Sequence, residues 1–172
     1  MSAGRTPSWS PVSQVHPSVW TEVVPLSSKD RMSIPLMARR RLEWLSVGTT
    51  DLLAVLEADG SAEIMSWRVE GVERIAQVEA VLSELSEPER SEVALAAMDR
   101  YIRLRLDGTG RMVLPMTLLS HVEAIEPASL RLVVRQGRLW FWSERHWRAR
   151  QLQRYLQMAK VIEDRNRNLR PQ

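Results

Sequence analysis

The sequence contains no cysteine and no long apolar run. The absence of cysteine excludes disulfides and thiolate metal sites, and it is typical of proteins from a reducing cytosol. No apolar segment approaches the roughly 18 residues that a transmembrane helix requires. The Ser- and Pro-rich N-terminus also lacks the apolar segment of a secretory signal. We therefore expect a cytoplasmic protein without a membrane partner.

Lysine is nearly absent, and positive charge is unevenly distributed. Only Lys29 and Lys160 among the 24 basic residues are lysine. Residues 1–100 carry 10 basic and 15 acidic side chains, whereas residues 101–172 carry 14 and 6. Arginine suits phosphate and guanine recognition because its planar guanidinium donates in a fixed fork. A GC-rich genome produces the same arginine bias, and composition alone does not separate the two explanations.

Catalytic signatures are missing from the sequence. His16, His121 and His146 are scattered, without a carboxylate at ligand spacing. The sequence shows no nucleophile with a matching base and no phosphate-binding glycine loop. It therefore predicts a protein that is not an enzyme, with no metal site, no cofactor and no small-molecule substrate.

An internal repeat with an offset of 80 residues organises the chain. Residues 31–35, RMSIP, recur as residues 111–115, RMVLP. Apolar positions around the two copies also correspond: Leu26 with Leu106, Leu42 with Val122, and Leu45 with Ile125. Repeats of this kind indicate one supersecondary unit present in two copies.

The pattern of each copy predicts a β-β-short α-β-β unit. Residues 101–106 alternate, which places Arg103 and Arg105 on the solvent side of a strand. Residues 107–110 form a turn, and Pro115 ends the next strand and opens a short helix. A hairpin then forms about Gln136-Gly137. One such unit is too small to close a core, so we expect an α+β fold in which the two units complete each other.

Helical periodicity predicts the remaining segments. One helix covers residues 67–85, and a capping box from Ser86 to Glu89 starts a second over about 87–99. Ser143 caps a last helix, whose apolar stripe comprises Trp147, Leu152, Tyr155, Leu156, Ala159 and Ile162. Residues 166–172 are expected to fray. The predicted division is a flexible arm (1–20), a first unit with its helix (21–85), a linker helix (86–100), a second unit (101–147) and a basic helix and tail (148–172).

The segment Leu106–Pro115 resembles the loop-strand signature of the AbrB/SpoVT superfamily, and Arg138–Trp147 resembles the strand-to-helix end of a unit of the MraZ family. The tandem arrangement over residues 21–150 is similar to MraZ proteins. This resemblance implies swapped-hairpin units in one pseudo-symmetric barrel with peripheral helices. It also implies a transcriptional regulator that binds double-stranded DNA at promoter repeats of the division and cell-wall genes. Such a protein forms ring-like homo-oligomers and associates with the nucleoid.

The first unit departs from the family pattern of Asp and Arg separated by three residues. Ser27 stands where Asp is expected, and Asp30 where Gly is expected. The second unit keeps the pattern from Asp107 to Arg111. This departure marks a divergent member and leaves open whether the first hairpin keeps the family geometry.

The candidate DNA-binding residues are Lys29, Arg31, Arg39, Arg40, Arg41, Arg103, Arg105 and Arg111. The strongest candidate is the run at positions 39–41, for which a solvated helix face is the alternative. Asp107 is expected to staple its turn and to hold Arg111 toward a phosphate. Pro35 and Pro115 are expected to be structural.

Two further alternatives stay open. The Trp-rich segment 139–142 is apolar on both faces. It is therefore either a fully buried strand or a strand with one face on a neighbouring subunit. The acidic first half and the missing Asp at Ser27 also fit a protein-interaction scaffold, or an antitoxin-like regulator that binds a protein partner.

Overall fold

The computed structural model describes residues 19–45, 48–124 and 129–169. These residues form a mixed α+β structure of antiparallel strands and helices. Most of the predicted arm, the end of the tail and Ile125 lie outside the described residues. None of the described helices combines the length and apolarity needed to cross a membrane.

Each half of the chain has the predicted order of elements. The first half comprises β1 (Trp20–Pro25), β2 (Arg31–Ser33), α1 (Leu36–Arg39), β3 (Asp51–Leu56) and β4 (Ser61–Ser66). A π-helical turn (Trp67–Gly71), α2 (Val72–Glu84) and α3 (Glu89–Arg100) follow. The second half comprises β5 (Tyr101–Arg105), β6 (Arg111–Val113), α4 (Met116–His121), β7 (Ser129–Arg135) and β8 (Arg138–Trp142), then α5 (Glu144–Ala149) and α6 (Gln151–Asn168).

The two units interlock through shared sheets. The strand order of the larger sheet is β1-β7-β8-β4-β3-β5, with every neighbouring pair antiparallel. The first strand of each unit therefore pairs with the third strand of the other unit. β2 and β6 form a separate two-stranded ribbon. In the described ranges, β1 and β5 remain edges, and no hydrogen-bonded pairing closes the sheet into a barrel.

The main core is built from both units. Met32 and Met112 face each other inward across the ribbon, and Leu42 and Val122 are both buried, as the repeat predicts. Leu139 and Phe141 on β8 also belong to this core. Full burial of a large apolar side chain stabilises the fold by about 1.5–3 kcal/mol. Because either unit alone would leave these residues exposed, we expect the two units to fold together.

The connections within the two units differ in length. Residues 136 and 137 form a two-residue hairpin turn with φ values of 51° and 72°, the left-handed geometry that tight hairpins favour. The equivalent connection in the first unit is Glu57–Gly60. This connection is two residues longer than the turn at residues 136 and 137.

The helix predictions need three corrections. The Ser86 capping box does not form, because α3 begins at Glu89 without a side-chain cap. The last helix is two helices that meet at Arg150, although Ser143 does cap the first of them. The helix also continues through Asn168, so residues 166–168 are helical rather than frayed.

The second face of β8 is covered by the chain itself. Trp142 is buried, and its ring meets Trp147 of α5 edge to face at 5.9 Å between centroids. Arg150 lies 5.2 Å from the Trp142 centroid. Trp140 remains half-buried beneath Arg135, at 4.7 Å. Leu139, Phe141 and Trp142 are therefore buried within one chain, whereas Trp140 keeps a half-exposed side, so neither alternative describes the whole strand.

Candidate nucleic-acid interface

The β2–β6 ribbon brings the two repeat motifs together. Arg31 lies opposite Val113, and Arg111 lies opposite Ser33. All four side chains are exposed, whereas Met32 and Met112 between them are buried. Since side chains alternate along a strand, Arg31 and Arg111 occupy diagonal positions on one solvent face. The repeat thus places two arginines on the same face of the ribbon.

The Asp107–Gly110 turn is held by one carboxylate. Asp107 Oδ1 accepts hydrogen bonds from Thr109 N at 2.8 Å, Thr109 Oγ1 at 2.7 Å and Arg111 N at 2.9 Å. The Thr109 hydroxyl, followed by the Arg111 N–H, lowers the pKa of Asp107 to about 2. The carboxylate therefore stays ionised, and its hydrogen bonds hold the turn together, as expected.

Arg111 is oriented differently from the expectation. Its Nε donates to Thr109 Oγ1 at 3.0 Å, and Asp107 receives only its backbone N–H. No ion pair joins the Asp107 carboxylate to the Arg111 guanidinium among the described residues. Thr109, rather than Asp107, positions the guanidinium, which remains exposed.

Arg103 and Arg105 lie on the solvent side of the edge strand β5, as predicted. Arg103 donates from Nη2 to Asp51 Oδ1 at 3.2 Å and stacks 3.7 Å above the Trp67 ring. Arg105 lies opposite Asp51 in the strand register and is exposed. Arg103 is therefore anchored by its own chain, whereas Arg105 presents its side chain to solvent.

The three consecutive arginines have different surroundings. Arg39 packs over Gly110 of the other unit, so close that a Cβ there would lie 2.8 Å from Arg39 Nη1. Its Nε is buried and has no hydrogen-bond partner. Arg40 is exposed, and Arg41 donates to Met37 O at 3.1 Å. The three arginines therefore form neither a uniformly solvated helix face nor a uniformly exposed run for DNA contact.

Two grooves flank the Asp107–Gly110 turn. The larger, of about 680 Å³, is lined by Arg31, Arg103, Arg105 and Arg111. The smaller, of about 440 Å³, is lined by Arg39 and Arg40. Asp107 and Gly108 belong to both grooves and separate them. Six of the eight predicted basic positions therefore surround one turn. Asp107 is the one carboxylate among the residues that line the two grooves.

The other two basic candidates lie apart from these grooves. Lys29 is exposed on the first motif turn, and Arg41 follows α1. Neither is among the residues that line the two grooves. Pro35 and Pro115 lie at the N-terminal caps of α1 and α4, which gives them the predicted structural role.

Thr50 was missed by the sequence analysis. It lines both grooves, and its carbonyl accepts a hydrogen bond from Leu106 N at 2.7 Å. That bond joins the segment before β3 to the end of β5, from the other unit. No local pattern marks a threonine that is 57 residues away from Asp107 in the sequence.

The described histidines take part in structural contacts. His121 Nε2 lies 2.9 Å from Ser61 O, and His146 Nε2 lies 3.5 Å from Glu123 Oε1. No group of metal-ligating side chains occurs within the described ranges. His16 lies outside them.

No protein-family model and no curated protein matches this chain. The resemblance to the MraZ family therefore depends on the sequence motifs and their tandem arrangement.

Proposed function

We propose that this protein is a sequence-specific, DNA-binding transcriptional regulator of the MraZ type. In this proposal the interlocked units correspond to the AbrB-like swapped-hairpin barrel. The protein acts as a homo-oligomer at promoter repeats of the division and cell-wall gene cluster, in association with the nucleoid. The observation that carries the proposal is the gathering of six arginines around the Asp107–Gly110 turn.

The chemistry of this arginine face suits a nucleic-acid backbone. Arg31, Arg105 and Arg111 are exposed and can neutralise phosphates. Thr109 holds Arg111 in one direction, which lowers the entropy that the side chain loses on binding. Arg103 stacks on the Trp67 ring, and Arg39 packs against Gly110. Both side chains line the grooves. Contacts of this kind position the protein, while base-edge contacts from the turns select the sequence.

The proposal requires binding that weakens steeply with salt. Each phosphate contact contributes roughly 0.9 to the slope of log affinity against log salt concentration. Fluorescence anisotropy with a promoter duplex, across a salt series, measures this slope. An affinity that does not change with salt would contradict DNA binding through the arginine face.

Arg40→Ala and Arg68→Ala form a matched pair of variants. Both side chains are exposed and both changes remove one charge, but only Arg40 lines a groove. We expect Arg40→Ala to weaken DNA binding and to lower the salt slope by roughly 0.9. Arg68→Ala should leave both values unchanged. Equal effects of the two variants would indicate unspecific attraction to the whole protein.

A protein-interaction scaffold is the second candidate. Exposed apolar residues accompany the arginines in the two grooves: Leu36 is 53% and Val113 is 54% exposed. A mixed apolar and basic surface also fits an acidic protein partner, such as the toxin of an antitoxin-like regulator. Capture of such a partner, together with no enrichment of promoter fragments in a chromatin experiment, would favour this function over the first.

A further inference from the structure

Trp67 supports one arginine of the larger groove without lining the groove itself. The Arg103 Cζ atom lies 3.7 Å from the centroid of the Trp67 ring, the shortest arginine–aromatic distance among the described residues. At this distance the ring face attracts the positive charge of the guanidinium. Arg103 lines the larger groove, whereas Trp67 lines neither groove. The ring therefore reaches the groove only through Arg103.

The π-helical turn after β4 accounts for the position of this ring. The Val72 N–H donates to Trp67 O, five residues back, instead of the four of an α-helix. Gly71 lies against the ring, so close that a Cβ at this position would be 2.9 Å from Trp67 Cε3. A glycine at position 71 thus leaves the space that the ring occupies. The ring contacts Gly71 on its own turn and Arg103 on the edge strand β5.

Asp51 holds the same guanidinium at one edge. Arg103 Nη2 donates to Asp51 Oδ1 at 3.2 Å, and Thr50 Oγ1 donates to Asp51 Oδ2 at 3.3 Å. Among the described residues the Arg103 side chain makes no other hydrogen bond, and it is 51% exposed. Its Nε and Nη1 donors are therefore left for a further acceptor. Trp67 and Asp51 orient the guanidinium and leave it able to bind a phosphate.

We propose that Trp67 is a positioning residue for DNA binding, which sets the direction of the Arg103 guanidinium in the larger groove. The inference rests on the proposed function and deepens it by naming a residue that acts on DNA only through another. A side chain that is ordered before binding loses less entropy when it meets a phosphate. Loss of the ring should therefore weaken DNA binding although no charge is removed.

Trp67 also has a structural contact, because it packs against a small buried cluster of Leu53, Val55 and Met65. A double-mutant cycle separates the two roles. Anisotropy titrations with a single promoter box compare wild type, Trp67→Leu, Arg103→Ala and the double variant. Leucine keeps apolar contacts but offers no ring face to the guanidinium. The melting temperature of each variant measures the structural contribution separately.

We expect Trp67→Leu to weaken DNA binding roughly 3- to 10-fold in the wild-type background. In the Arg103→Ala background it should have no further effect. Trp67→Tyr keeps a ring face beneath the guanidinium and should regain most of the wild-type affinity. Equal losses in both backgrounds would overturn the proposal, because Trp67 would then act through the fold and not through Arg103. An unchanged affinity in Trp67→Leu would overturn it as well.

Arg135 and Trp140 provide a matched control pair. Arg135 Cζ lies 4.7 Å from the Trp140 centroid, and Trp140 is half-buried like Trp67. Neither residue of this pair lines a groove. Trp140→Leu should therefore leave DNA affinity unchanged. A loss equal to that of Trp67→Leu would overturn the proposal, because stacking on a groove arginine would then have no particular effect.

NMR of the free wild-type protein gives a readout that depends neither on DNA nor on the stability of a variant. The ring current of Trp67 shifts protons above its face upfield. The Arg103 side-chain protons should therefore resonate upfield of those of Arg105, which has no ring contact among the described residues. Absence of this shift would overturn the proposal even if Trp67→Leu did not fold. A wild-type protein that shows the shift but binds no DNA would exclude the regulator function, and the positioning role with it.

Discussion

The turns Ser27–Asp30 and Asp107–Gly110 share no residue at equivalent positions, yet their backbones match. Ser27 N donates to Arg31 O at 2.8 Å, and Asp107 N donates to Arg111 O at the same distance. The fourth residue has positive φ in both turns, 54° at Asp30 and 80° at Gly110. The carbonyls of these two residues accept hydrogen bonds from Leu114 N and Ile34 N across the repeat.

The two turns have the same backbone contacts but carry different side chains. The cross-unit hydrogen bonds and the β2–β6 pairing are present on both sides. They therefore account for the common backbone, and the loss of Asp at Ser27 does not change it. The Asp107 network and the close approach of Arg39 occur only at the second turn among the described residues. The two halves have thus kept the scaffold and diverged in the side chains that it presents.

The largest expected difference between the turns concerns DNA affinity. Arg105→Ala with Arg111→Ala removes two groove arginines, and we expect a loss on the order of 10- to 100-fold at moderate salt. The matched variant, Lys29→Ala with Arg41→Ala, removes two charges that line neither groove. Its loss should be several-fold smaller in the same anisotropy titration. Equal losses would show that the arginines lining the grooves contribute no more to DNA binding than basic residues outside them.

Gly110 should tolerate substitution less well than its counterpart. Gly110→Ala adds a Cβ in the left-handed region and against Arg39. We expect it to lower the free energy of unfolding by about 1–2 kcal/mol. Asp30→Gly should leave stability unchanged or raise it, because it relieves the same strain. Urea denaturation measures both, and Gly110→Ala combined with Arg39→Ala separates the backbone strain from the contact. A neutral Gly110→Ala would contradict this account.

The Asp107 carboxylate should titrate near pH 2, well below its ordinary pKa of 3.8. Because this pKa is lowered in the folded state, the stabilisation is complete above the unfolded value and is lost as the pH falls through 2. Thr109→Ala removes the first cause of the shift and should raise the midpoint. NMR titration of the carboxyl carbon measures it, with Ser27→Ala as a control that leaves it unchanged. An unaltered midpoint in Thr109→Ala would assign the shift to the backbone donors alone.

The smallest expected effect is that of restoring the family residue in the first turn. Ser27→Asp places a carboxylate where the backbone already has the geometry of the second turn. We expect a gain of about 0.5 kcal/mol, the low end for one hydrogen bond. Thermal unfolding against wild type measures the gain. A loss of stability would show that the side chains around the first turn have diverged too far to accept the carboxylate.

Much of the fold could be predicted from particular residues. Three local features predicted the order of elements that the structure contains. They are the motif copies at Arg31 and Arg111, the alternation through Arg103 and the turn at Gln136-Gly137. These predictions succeeded because periodicity and turn chemistry are local properties. The capping box at Ser86 failed because α3 begins three residues later, at Glu89 after Pro88, and the nearby Glu87 carboxylate accepts from the Ser91 hydroxyl instead.

The candidate site was predictable as a set of residues but not as an arrangement. The sequence indicated the eight basic positions, yet nothing local showed that Arg39 packs on Gly110 or that Arg103 stacks on Trp67. These contacts join residues 71 and 36 positions apart. Such distances in sequence are closed only by the interlocking of the two units.

Short-range pattern and composition were enough to predict two β-β-short α-β-β units, their turns and the basic character of the second half. Which arginines share a groove, and which are anchored by their own chain, follows from the folded arrangement instead. The same arrangement leaves the apolar side of α6 exposed. Strand pairing between the units brings distant segments together, and no property of either segment alone specifies its partner.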